Sequence, residues 1–265
     1  MKLIIFCSFL INLSANGASY YSSSINKYTG YGLKTELFKT ISRDHVERDY
    51  GALIDVFFKS DIDTTYENDG SILDIYSEIP NSKDPYVYRS YKQKCGNYRS
   101  ESDCFNREHL FPQSAFHKQY PMKSDFHHIF PTDGIVNSKR WHYAFGEVKE
   151  AIWTSRNGSK LGICSSRGFS GTVFEPIDEF KGDVARALLY FAVRYEDRIS
   201  NWKHEMLDGS SDQVYATWFL KTLLKWHRND PVSKREIHRN NVGETFQGNR
   251  NPFIDHPEWV FKIWR

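Results

Sequence analysis

Residues 104–148 read CFNREHLFPQSAFHKQYPMKSDFHHIFPTDGIVNSKRWHYAFGEV, and this stretch decides the reading of the chain. Glu108 and His109 stand side by side near its start. A strand end that presents both to one site gives each a job. The carboxylate holds a hard divalent cation, and the imidazole takes a proton from water. Alone the pair is a weak signal, because a hydrogen-bonded histidine beside a surface glutamate is the commoner arrangement. The second half of the stretch adds weight. Asp125 to Pro131 alternates as a strand would, with one of His127 and His128 facing the core. Thr132-Asp133-Gly134 predicts a helix start with Asp133 as N-cap. Asn137 then falls in the first turns, where its amide oxygen suits a hard cation. Arg140, three residues further, shares its face.

Strand, loop, strand and helix, with a histidine ending the first strand and an asparagine on the helix, resembles the ββα-metal (His-Me finger) motif of metal-dependent nucleases. The longer segments Asn106–Pro112, Asp125–Asn137 and Phe145–Val148 resemble the bacterial endonuclease I family, whose members are secreted or periplasmic nucleases without sequence preference. Phe180–Ala187 and Gln247–Phe253 are similar to family segments too, so the resemblance runs roughly from Tyr28 to Trp264. It implies an α+β fold, a single domain in which the nuclease motif packs against helices. It also implies that Glu108 is a metal-binding carboxylate, His109 the general base and Asn137 the second protein ligand. The implied cofactor is Mg²⁺, with Mn²⁺ as a substitute, and the implied reaction is phosphodiester hydrolysis in DNA, with RNA left open. Some members place an arginine on the scissile phosphate from an insertion between the Glu-His pair and the second strand. Here Leu110 to Ser124 is short and holds no arginine; Lys118, Lys123 or Arg140 are the alternatives. The disulfide pattern of those members is absent as well.

Composition sets the frame. The chain has 265 residues, of which 16% are aromatic and 26% charged, so it can bury a sizeable core. The formal charge is only +2. Nucleic-acid binding therefore needs a local patch. Arg107, Lys139 and Arg140 beside the trio are candidate phosphate contacts. A further basic stretch from Lys221 to Arg239 holds six Lys/Arg against two acids. Phosphate contacts carry no sequence information, so binding of this kind is nonspecific. The competing reading is a catalytically inactive, exported nucleic-acid-binding protein of the same fold.

Residues 1–18 read as a secretory signal peptide: a lysine, an apolar run from Leu3 to Leu13, then small residues to Ala18. The remaining 19–265 form the expected nuclease domain, secreted or periplasmic, without a membrane span and monomeric. Cys95 and Cys104 are the favoured disulfide pair, with Cys164 left over. Leu33, Leu37 and Ile41 predict a first helix, and the spacing from Phe180 to Ile199 another. Val214 to Trp226 predicts a buried helix, and Asp230-Pro231 the start of the next. Ser71 to Tyr76 is expected as a strand. Between Asp55 and Glu78 lie seven acids and one lysine. Asp61, Asp63, Glu67 and Asp69 suggest calcium but miss the EF-hand spacing, so a solvated acidic face is expected.

Overall fold

The computed structural model describes residues 20–264, and the expected signal peptide lies outside them. Two helices come first, α1 (Gly30–Arg43) and α2 (Ala52–Ser60). A long segment of turns leads to β1 (Phe105–His109), which pairs antiparallel with β2 (Ile129–Asp133). The helix α3 (Gly134–Arg140) follows β2 directly. A second sheet holds β3 (Ala144–Phe145), β4 (Val148–Thr154), β5 (Lys160–Cys164) and β6 (Thr172–Glu175) in the order β3-β6-β5-β4. The chain closes with α4 (Lys181–Arg194), α5 (Thr217–Asn229), α6 (Lys234–Gln247) and two short helices, α7 (Pro252–Asp255) and α8 (Trp259–Ile263). Mixed sheets and helices around one main core make a single α+β domain.

The core forms around α4, in which every residue after Lys181 is buried. A helix buried on every side lies in the middle of the fold, and two of its buried charges are paired, Asp183 with Arg235 and Arg186 with Glu236. Phe191 of α4 stacks on Phe111, with ring centroids 4.4 Å apart, just beyond the end of β1. Asp125 anchors β2 to the same helix. Its buried carboxylate accepts hydrogen bonds from Tyr190 and Tyr195, the latter at 2.7 Å, and from Gln247 of α6. Burial would raise this acid, but His45, His128 and His127 around it hold it well below the usual carboxylate range.

Several expectations shift. Phe126–His128 is a 3₁₀ turn, so the strand alternation does not apply and both histidines are buried. Asp125 causes this by accepting the His127 N–H, which curls the chain before it extends at Ile129. Ser71–Tyr76 makes bridges only at Ile72 and otherwise turns inward, with all six residues buried. Asp74 accepts the Tyr76 N–H and so closes a turn within it. The helix expected at Asp230-Pro231 starts later, at Lys234, capped by Ser233 in a capping box with Glu236. Asp230 instead accepts the Gly182 N–H and caps the start of α4. The basic stretch is not a free patch either. Arg235 is buried on Asp183, Arg239 on Asp61, and Lys225 pairs with Glu147.

The favoured cysteine pair is joined: Cys95 and Cys104 form a disulfide and Cys164 is a buried free thiol. The bridge packs against the start of α3. A Cβ on Gly134 would stand 2.5 Å from the Cys95 sulfur and 3.1 Å from that of Cys104. Gly134 is the residue that lets helix and disulfide meet.

Candidate active site

Antiparallel pairing places Glu108 opposite Phe130 and His109 opposite Ile129. Asp133 ends β2 and starts α3. Its Oδ1 accepts the N–H groups of Ile135 and Val136 at 2.7 and 2.9 Å, as the expected N-cap. Its Oδ2 accepts from the Tyr88 hydroxyl, and its own N–H donates to Asp74. The helix that carries Asn137 is thereby fixed at its first turn. Glu108, His109, Asn137, Arg107 and Arg140 all line one open cleft of about 270 Å³, with Gln113, Lys118, Trp141 and His142 among its other walls.

Each of these side chains is held. Glu108 is 1% exposed. Its Oε1 accepts from the Tyr76 hydroxyl at 3.1 Å and lies 3.3 Å from the Arg140 Nε. Burial pushes the carboxyl up to about 7, against the pull of Arg140 and Tyr76. His109 is likewise buried, and its Nε2 lies 3.0 Å from the Lys123 carbonyl oxygen. Its Nδ1 has no hydrogen-bond partner. Burial first, and then nearby His128, lower its pKa to about 3, so the ring is neutral at ordinary pH. His128 also has an unpartnered Nδ1, but it is fully buried and does not line the cleft.

The three candidate phosphate contacts separate. Arg140 is buried, with its guanidinium donating to the carbonyls of His109 and Leu110 and facing Glu108. Arg107 is half-buried, stacked 3.7 Å over the Tyr50 ring and bonded to its carbonyl. Lys139 is exposed on α3. Of the alternatives, Lys118 is exposed at the cleft, and Lys123 lies 5.2 Å from the Tyr50 ring. None of the six basic residues between Lys221 and Arg239 reaches this cleft.

Comparison with known proteins places the chain in a family. The family model described as Endonuclease I fits residues 29–258. The chain belongs to the endonuclease I family. An extracellular ribonuclease of Bacillus amyloliquefaciens is 35% identical over 262 residues, covering 97% of this chain and 82% of that protein. An extracellular ribonuclease of Bacillus subtilis (strain 168) is 32% identical over 265 residues, covering 96% of this chain and 83% of the relative. A periplasmic deoxyribonuclease of Aeromonas hydrophila is 28% identical over 136 residues, about half of each chain. Among the described residues of this family member, no helix is long and apolar enough to cross a membrane.

Sequence reasoning missed the groups that support the trio. Tyr76 and Tyr50 come from other parts of the chain, and the Lys123 carbonyl from the loop between the two strands, and no spacing pointed to them. The one faint signal was Tyr76 itself, a tyrosine ending an apolar run, since a buried phenol needs a partner.

Proposed function

We propose that this endonuclease I family member is a secreted or periplasmic, divalent-metal-dependent enzyme that hydrolyses phosphodiester bonds within DNA and RNA without sequence preference. The observation that carries the reading is that His109, whose Nδ1 is buried without a partner, lines one cleft with Glu108 and Asn137. On this reading β1, β2 and α3 form a ββα-metal motif.

The donor set fits a hard cation. Glu108 and Asn137 offer a carboxylate and an amide oxygen at an open cleft, and the Tyr76 hydroxyl and the Arg140 Nε both approach Oε1 of Glu108, which leaves Oε2 for a ligand. Mg²⁺ keeps several waters, so two protein ligands suffice, and Mn²⁺ accepts the same oxygens. When bound, such an ion would offset the charge that develops on the phosphate and on the leaving oxygen.

The chain's own residues do the rest. A carbonyl only accepts, so the His109 Nε2 donates to Lys123 and carries the ring proton. That fixes the tautomer and leaves the Nδ1 lone pair to take a proton from water. The water oxygen bonds to phosphorus, the P–O bond to the leaving oxygen breaks, and the proton ends on Nδ1. Arg140 orients Glu108 and the strand end and is too buried to grip a substrate. Arg107, Lys139 and Lys118 supply the backbone contacts. Because water is the nucleophile, no ribose 2′-hydroxyl is required. That agrees with relatives named both ribonuclease and deoxyribonuclease.

The test is a nicking assay on supercoiled plasmid and a parallel assay on structured RNA, with and without chelator. Cleavage of both, abolished by chelator and restored by Mg²⁺, is expected. Binding without cleavage would favour an inactive nucleic-acid-binding protein, and chelator-resistant cleavage would remove the metal from the reading.

A further inference from the structure

The turn segment between α2 and the Cys95–Cys104 loop carries a second group of carboxylates that the nuclease chemistry does not use. Ligand oxygens of Asp63, Glu67 and Glu78 lie within 4.8 Å of one another. Two oxygens on opposite sides of a calcium ion stand about 4.6–5.2 Å apart, twice the Ca–O distance, so these three can share one ion.

Glu78 points to a ligand independently of this clustering. It is 0% exposed, and neither of its carboxylate oxygens has a hydrogen-bond partner. Buried polar groups normally find partners. The other two residues sit in a built loop. Asp63 accepts the N–H groups of Thr65, Tyr66 and Asn68, and Glu67 accepts that of Asp84.

We propose that Asp63, Glu67 and Glu78 bind one Ca²⁺ ion. Carboxylate oxygens gathered from irregular backbone suit calcium's loose coordination, whereas magnesium demands near-octahedral order and zinc favours nitrogen and sulfur. The linear pattern misses this set because it mixes two kinds of residue. Asp61 is taken by Arg239 and Asp69 by Arg89, while Glu78 lies too far along the chain to be counted with them. The ion has a route to the nuclease site. Tyr76, which donates to Glu108, and Asp74, which accepts from Asp133, lie two and four residues before Glu78. Holding Glu78 therefore holds the segment behind both Glu108 and α3.

The test uses the full chain with the cleft silenced by Glu108→Ala and Asn137→Ala, so that only a second site can respond. Calorimetry with CaCl₂ is expected to give one equivalent with Kd of about 10⁻⁴–10⁻³ M, the range of extracellular calcium modules, and Tm should rise with CaCl₂. Adding Glu67→Gln, at an exposed position that should not impair folding, is expected to weaken Ca²⁺ about tenfold or more, since ligand charge sets affinity. Adding Glu78→Gln should abolish the response. No calcium heat and no Tm response in the silenced chain would overturn the proposal. So would unchanged affinity in the Glu67→Gln chain, or an equal response to MgCl₂.

Discussion

The Nε2 of His109 lies 3.0 Å from the carbonyl oxygen of Lys123, and the opposite ring nitrogen is buried without a hydrogen-bond partner. On the proposed reading this contact sets the base apart from the metal ligands. His109→Ala should lower cleavage by about 10²- to 10⁴-fold while leaving divalent-ion binding largely intact. Glu108→Ala and Asn137→Ala should weaken the ion itself and recover part of their activity in excess Mg²⁺. Calorimetry of Mn²⁺ binding beside nicking rates decides between them. An equal loss of Mn²⁺ affinity in His109→Ala would make His109 a ligand.

The pH profile follows from burial. An unperturbed histidine would switch near 6.5, but His109 is lowered to about 3 and stays neutral through the working range. Glu108 is raised to about 7, and only its carboxylate form holds a cation. Activity should therefore fall as pH drops below about 7, and more Mg²⁺ should move that limb to lower pH, because ion and proton compete for one group. Stability obeys the opposite member of the pair. The contribution of neutral, buried His109 is complete above the unfolded value near 6.5 and is lost as pH falls toward its folded value. Rates measured from pH 5 to 9 at two Mg²⁺ concentrations check the first claim. An acid limb that ignores Mg²⁺ would contradict it.

Arg140 and Lys139 should part company under salt. Arg140→Ala leaves Glu108 as a buried, uncompensated carboxylate and should cost about 3–5 kcal/mol of stability, with little change in how binding depends on salt. Lys139→Ala should leave Tm almost unchanged and reduce the slope of log affinity against log salt by about 1, equally for unrelated sequences. Denaturant melts and binding titrations of a nicking-deficient background read both. A reduced salt slope in Arg140→Ala would place its guanidinium on a phosphate after all.

Tyr76→Phe removes one hydroxyl and nothing else. Because that hydroxyl orients a proposed metal ligand from 3.1 Å, metal affinity should fall about 10- to 100-fold, and added Mg²⁺ should restore the rate. Nicking rates across an Mg²⁺ series test this. A lower rate at saturating Mg²⁺ with unchanged affinity would mean that Tyr76 acts on the chemical step.

The proposed trio could be picked out of the sequence because it is local. Glu108, His109 and Asn137 fall within thirty residues, and strand, cap and helix rules bring all three to one cleft. What supports the trio was not legible, because its contacts join distant segments. Tyr76 meets Glu108 across 32 positions, and Asp74 meets Asp133 across 59. The charges misled for a related reason. Arg235 and Arg239 look like surface cations in the sequence, but their partners, Asp183 and Asp61, lie far upstream. Asp230-Pro231 has the signature of a helix start, yet the aspartate caps another helix that approaches it in space.

Gly134 has no side chain because two sulfur atoms occupy the space. The wall against which the Asn137 helix begins is thus a bond that forms only under oxidising conditions. In a reducing cytoplasm Cys95 and Cys104 remain thiols, and that first turn lacks its fixed backing. The Asp133 cap and the disulfide therefore hold the same turn from two sides, and only one of these supports depends on the compartment in which the chain folds.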